Sequence, residues 1–557
     1  MFRFFWGEKM DSNTLREAYS LLYPKNRVDK RNTKIKPRLQ SNMQIFLTLL
    51  IFSLLMIFMS NALILNDEML IILQVQSVGS GFEIHPEKLI SYQGTPWVNY
   101  GGKIYAPFSY FVPFLAFPIY SLLIFLKNHI FPDILFFLVP CFILLYLSLE
   151  YRKYRFLTSL FLLANLLTFK PIYRFEDWGC LYSIQLVNII LTSLAAVIFY
   201  KILRQRVSSE TALISVMLFI FATPVAYWTL TAKSHSLSLF LILMSIYSLH
   251  KHLEKVGLNL FYASVFAGLA VFARPLDGFA ISASLIVFLF ISRSDFKRNL
   301  TLTLLGLTLG YLPCALFGLM LFGLPLPVEI VGNMFSGVNY VKTASHLDIL
   351  LSIPLIFFGL NNQTLGILNY SPVLAILLLP LSKSFRKTSV HNLTDLEKFL
   401  VVFTVVLFVI YLPFLKSGVV DTGVRDYRFY LPLFIPLIYF LSRKIAGINY
   451  NRFWQNFALV LLLYVLTTAT LISVFVDFFS YLTYIYLFLS IILLPTLTFF
   501  DRLNENTRAD VLSLTILPLI FLISDRVLGY FGPYDIHFCL PLLNRFIEFL
   551  ILFKGLS

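Results

Sequence analysis

The chain has 557 residues, of which 58% are hydrophobic and 13% charged, with a formal net charge of +15 and a mean hydropathy of +0.79. Soluble domains carry about a quarter charged residues, so this composition excludes a soluble globular enzyme and leaves a polytopic membrane protein, helical wherever its backbone meets lipid. The basic residues sit in the N-terminal tail, Arg3 to Arg38, and in short loops between apolar runs, a pattern that sets topology and argues against a nucleic-acid surface.

Taken in chain order, residues 1–42 form a basic tail expected in the cytoplasm. A first span over Ile45–Leu65 follows, read as a signal anchor. Asn66 to Tyr105 then lies outside. The apolar run Tyr105–Lys127 is broken by Pro107, Pro113 and Pro118 and reads as helices lying in the outer interface or re-entering it, with a true span as the alternative, so the first outer loop extends over 66–131. Loops carrying Arg152, Lys153 and Arg155, then Lys201, Arg204 and Arg206, then Arg293, Lys297 and Arg298, and later Arg443 and Lys444 fall inside. Tyr227–His235, Arg274–Asp277, Gly323–Asn362 and Lys416–Arg428 fall outside. The pattern gives about sixteen transmembrane helices, divided into a module over 43–442 and C-terminal helices over 443–557. No internal repeat of the kind that builds many transporters is visible. The four cysteines are scattered, without metal or disulfide spacing.

Polar groups at membrane-helix ends are the candidates for chemistry, because holding them there is costly. Asp67 and Glu68 follow the first span; partial desolvation raises a carboxyl towards the range of a general base, although an acid here also simply marks an interface. Lys103 can meet a phosphate as a point charge or snorkel. Lys233 and His235 stand between two spans, where the His can orient a substrate, ligate a metal or serve structure alone. Arg274 ends a span. Arg425 and Arg428 suit bidentate phosphate contacts, or pair with Asp421 and Asp426. No Walker A loop, GxGxxG turn, HExxH or GxSxG motif is present, so nothing signals a nucleotide site, a zinc protease or a lipase.

Several stretches then carry a resemblance. They are Asn66-Asp67-Glu68, the run Gly102-Lys103-Ile104-Tyr105-Ala106-Pro107-Phe108-Ser109, and Ala222-Thr223-Pro224 leading to Ser234-His235-Ser236-Leu237. Next come Gly268-Leu269-Ala270-Val271-Phe272-Ala273-Arg274-Pro275, Gly366-Ile367-Leu368-Asn369-Tyr370-Ser371-Pro372 and Arg428-Phe429-Tyr430-Leu431-Pro432. In this order the chain resembles the GT-C superfamily of integral-membrane glycosyltransferases, in particular the branch of protein O-mannosyltransferases and lipid A aminoarabinose transferases. The departures are a missing glycine after Tyr105-Ala106-Pro107 and Asp426 in place of a glycine; the tryptophan-rich motif of oligosaccharyltransferases is absent. The resemblance implies an all-α GT-C-like bundle whose outer-face loop carries interfacial helices. It implies Asp67 as general base beside Glu68, with Lys103, Arg274, Arg428 and Arg425 on a donor phosphate. Tyr105, His235, Lys233, Asn369 and Tyr370 would line the substrates, and a divalent metal, if used, would meet Asp67 and His235. The implied partners are a polyprenyl-phosphate-linked sugar, a lipid, glycan or protein acceptor, and membrane lipid. The alternatives are a lipid or glycan transporter and a non-catalytic subunit of a glycan assembly complex.

Overall fold

A computed structural model describes residues 37–59, 66–85, 97–127, 132–167, 175–292, 295–335, 367–378, 393–411, 427–474 and 492–517. The chain divides into two compact units, Met1–Phe46 and Leu47–Ser557. In the first, the described residues are the opening turns of helix α1 (Pro37–Ile57).

Among the described residues the second unit is helical apart from one hairpin and the connecting turns. After α1 come α2 (Asn66–Ser77), β1 (Val98–Tyr100), β2 (Lys103–Tyr105), α3 (Phe111–Lys127), α4 (Pro132–Glu150), α5 (Arg155–Leu167) and α6 (Phe175–Leu203). There follow α7 (Ser209–Phe221), α8 (Val225–Thr229), α9 (His235–Glu254), α10 (Asn259–Ala273), α11 (Pro275–Ser292), α12 (Phe296–Phe322) and α13 (Val328–Phe335). Short turns α14 (Ile367–Tyr370) and α15 (Ala375–Leu378) precede α16 (Asp395–Tyr411), α17 (Phe434–Ser442), α18 (Tyr450–Val474) and α19 (Glu505–Leu514).

Among the described residues, four helices are long and apolar enough to cross a membrane: Gly179–Leu203, His235–Glu254, Pro275–Ser292 and Phe296–Phe322. The pair Ile134–Glu150 and Arg152–Leu166, bent by 116°, makes a fifth candidate if counted as one span. The remaining expected spans are shorter apolar helices or fall largely outside the described residues. The expected first span needs correction. Its helix ends at Ile57 rather than Leu65, and Asp67 and Glu68 belong to the first turn of a new helix. An acid there meets the positive end of the helix dipole, which favours it.

Contacts among the described loops place them at two ends of the bundle. Lys153 pairs with Glu210. Arg206 reaches Glu397 at 3.0 Å, and Arg443 reaches the same carboxylate at 2.5 Å. The loops that carry Lys153, Arg206 and Arg443 therefore meet at one end. At the other end, Tyr100 and Tyr105 of the hairpin lie against Phe322, with ring centroids 5.4 and 5.5 Å away. The hairpin turn is Gly101-Gly102, both with positive φ (61° and 80°), the geometry a two-residue loop needs to match strand twist. Helix α3 starts at this end, where Phe111 stacks on Phe272 (5.0 Å). It is followed within five residues by α4, whose Phe136 lies 5.9 Å from Tyr182 near the start of α6. Phe111 at the start of α3 and Phe136 beyond its end thus both pack toward the hairpin end of the bundle.

The candidate active site

Three short junctions meet at the hairpin end: the start of α2, the loop from α8 to α9, and the break between α10 and α11. Each is built by its local sequence.

At the start of α2, Glu68 is fully buried and its Oε2 accepts the Ala232 N–H at 3.2 Å. The side chain of Asp67 lies outside the described residues, but its backbone opens the same helical turn.

The loop that receives Glu68 is pinned from behind by α6. Gln185 Nε2 donates to the Leu230 carbonyl at 2.8 Å. Asn188 Nδ2 donates to the Thr231 and Lys233 carbonyls, both at 2.9 Å. Thr192 Oγ1 bonds Thr229 Oγ1 at 2.9 Å and donates to Ser236 Oγ at 3.0 Å. Residues 185, 188 and 192 recur at the spacing that places side chains on one face of a helix, and all three are fully buried. In an apolar span such a stripe satisfies the carbonyls of a non-helical segment that lipid would leave unpaired. Lys233 is thereby held 7% exposed, with its Nζ 4.9 Å from the centroid of the Phe108 ring. Phe108 is fixed in turn: Gln74 Nε2 donates to its carbonyl at 2.8 Å. Next to it, Ser109 Oγ donates to the Phe272 carbonyl.

Helix α10 stops because Pro275 follows Arg274. A residue before proline is driven out of the helical region, and Arg274 is extended (φ −151°, ψ 109°). Pro275 is well placed as the first residue of α11, where no N–H is needed. Gly278 lets α11 start hard against α10; a Cβ there would lie 2.2 Å from the Val271 nitrogen. Arg274, 8% exposed, donates from Nη1 to His235 Nδ1 and lies 3.6 Å from Asp277 Oδ2. Asp277, 1% exposed, also accepts from Ser238 Oγ at 2.7 Å and from the Tyr411 hydroxyl. The Tyr411 ring lies 5.8 Å from that of Tyr430, which brings in the 3-10 helix Tyr427–Leu433 and with it the backbone of Arg428.

The structure thus brings together Glu68, Lys233, His235 and Arg274 of the expected residues, and adds Asp277, Tyr411 and the Gln185–Asn188–Thr192 stripe. Tyr105 is buried against Phe322. Lys103 is exposed beside the hairpin turn, opposite Tyr100 in register. Asn369 and Tyr370 occupy α14, with side chains outside the described residues, as is that of Arg428; Arg425 lies outside them altogether. Among the described residues no group of three or more His, Cys, Asp or Glu side chains could hold a metal ion. Arginine can only donate, so His235 Nδ1 accepts from it, and the neutral ring then carries its proton on Nε2.

Residues 179–318 match the family described as dolichyl-phosphate-mannose-protein mannosyltransferase. That segment holds the stripe on α6, the Lys233–His235 loop and the Arg274–Asp277 junction, and the match supports the resemblance to GT-C membrane glycosyltransferases. Among solved structures, ArnT from Cupriavidus metallidurans bound to undecaprenyl phosphate is similar at 10% sequence identity and a TM-score of 0.45, over 88% of this chain and 77% of that one. No curated protein matches the sequence.

Proposed function

We propose that this protein is a membrane glycosyltransferase that moves a sugar from a polyprenyl-phosphate donor to an acceptor hydroxyl at the outer face. One observation carries the reading. The acid-bearing start of α2 is hydrogen-bonded through Glu68 to the loop that presents Lys233 and His235, and His235 bonds Arg274. The turn that carries the candidate base, the loop that carries Lys233 and the junction that carries Arg274 are therefore neighbours. In this reading Asp67 takes the acceptor hydroxyl proton as that oxygen attacks the anomeric carbon. The carbon–oxygen bond to the phosphate breaks and the sugar inverts. The leaving polyprenyl phosphate gains charge, which fixed cations stabilise; Arg274 and Lys233 serve first, with Lys103, Arg425 and Arg428 as further phosphate contacts. Glu68 holds the loop, and Tyr105, Asn369 and Tyr370 belong to the substrate walls. The N-terminal tail is cytoplasmic by its charge. The acceptor is a lipid, a glycan or a protein.

The test is transfer from a labelled polyprenyl-phosphate sugar by purified protein in lipid, with the product anomer read by NMR. Asp67→Asn is expected to lose about a hundredfold or more in turnover. Unchanged turnover removes Asp67 as base. Retention of configuration removes direct displacement, and lipid movement across the bilayer without transfer replaces the enzyme by a transporter.

A further inference from the structure

The least expected group at the site is Asp277. A buried carboxylate survives only when paired and hydrogen-bonded, and this one collects partners from three places. Ser238 on α9 donates to Oδ2 at 2.7 Å, Tyr411 at the end of α16 donates to Oδ1, and Arg274 stands 3.6 Å from Oδ2. It also sits in the first turn of α11, where the helix dipole favours an anion. The arrangement has a direction. Asp277 is tied to three helices, whereas Arg274 is carried by a single extended residue between two helices. A guanidinium on four rotatable bonds loses much rotamer entropy on being fixed. Asp277 and His235 both meet it at Nη1, which sets the plane of the fork.

We propose that Asp277 is a positioning residue for phosphate recognition: it holds the Arg274 guanidinium in the one orientation that meets the donor's phosphate. This deepens the glycosyltransferase reading and rests on it. Asp277 touches neither donor nor acceptor. Its charge opposes phosphate binding at longer range, and the fixed geometry of the fork outweighs that repulsion. Ser238 and Tyr411 act one step further out, by holding the carboxylate.

Binding is measured with two probes, undecaprenyl phosphate and undecaprenol, on purified protein in nanodiscs. The two differ only in the charged headgroup. A structural defect moves both; a positioning defect moves the phosphate alone. Asp277→Asn keeps shape and volume and is expected to weaken undecaprenyl phosphate about tenfold, the size of one charge-assisted bond, while undecaprenol is unchanged. In transfer assays the loss falls on the donor KM more than on kcat. Tyr411→Phe and Ser238→Ala leave the carboxylate in place, give smaller losses of the same selectivity, and carry the test if Asp277→Asn does not fold. Asp277→Glu, which restores the charge at a longer reach, recovers part of the preference for phosphate. Equal loss for both probes, or no loss in any variant, overturns the proposal. So does tighter phosphate binding in Asp277→Asn, which would make the carboxylate a counter-charge instead. If wild-type protein itself does not distinguish phosphate from alcohol, the glycosyltransferase reading fails, whatever Asp277 does.

Discussion

Asn188→Ala is the sharpest test of how the site is held. The Asn188 amide donates to the carbonyls of both Thr231 and Lys233 at 2.9 Å from a fully buried position. Removing it deletes two hydrogen bonds and withdraws two donors from a segment with few alternatives. A buried hydrogen bond contributes about 0.5–1.5 kcal/mol, and those between membrane helices average about 0.6 kcal/mol. Two of them, with the small void left by the side chain, sum to about 2 kcal/mol. The cost falls on the loop that carries Lys233 and the Ala232 N–H, so donor binding should suffer along with stability. SDS unfolding followed by tryptophan fluorescence reads the effect. Trp228 is a local reporter because its ring lies 5.0 Å from that of His235. Asn188→Asp should be worse than Asn188→Ala, since it aims a carboxylate at two carbonyl oxygens. A cost below about 0.5 kcal/mol, with normal transfer, would refute the claim that α6 holds the loop.

Glu68→Gln keeps an acceptor for the Ala232 N–H and should lose less activity than Asp67→Asn in the same transfer assay; the reverse order would exchange their roles. Gly278→Ala drives a methyl against the Val271 backbone, which cannot move aside as a side chain would. It should cost about 3 kcal/mol or more, seen as loss of monodisperse protein on gel filtration. Away from the site, Asp510 accepts from Arg452 at 2.5 and 2.7 Å, and these bonds hold its carboxyl below the ordinary value of 3.8. A depressed carboxyl stabilises above its unfolded value and ceases to as pH falls through the folded one. Asp510→Asn should therefore lower thermal stability in detergent at pH 7. The gap should close as the medium is acidified from about 4 downwards, with transfer unaffected throughout.

The helical membrane architecture was legible from composition alone, because lipid permits little else. The break at Arg274-Pro275 was legible as the end of a span because it rests on local backbone chemistry, whereas the hairpin closed by Gly101-Gly102 was not foreseen in a chain read as all-α. The start of α2 was not: the apolar run through Leu65 looks continuous, and only the structure ends its helix at Ile57. Asp277 escaped notice because an acid in the first turn of a helix is ordinary, and its partners are remote. His235 and Arg274 are 39 residues apart, and Tyr411 and Asp277 are 134 apart, separations that no periodicity reveals. The stripe at Gln185, Asn188 and Thr192 did carry a signal, since three amide or hydroxyl side chains at helical spacing in an apolar span need a common partner. What that partner was, the spacing could not say.

The break that presents Arg274 keeps the backbone bonds of residue 274 itself. The Arg274 N–H still reaches the Ala270 carbonyl at 2.8 Å, its own carbonyl accepts from Gly278 at 3.0 Å, and Pro275 has no N–H to satisfy. Both backbone groups of Arg274 are therefore satisfied before its side chain is considered. A change of side chain at 274 therefore leaves the corner's own backbone bonds intact, and its cost falls on the buried Asp277 carboxylate, which loses its cation.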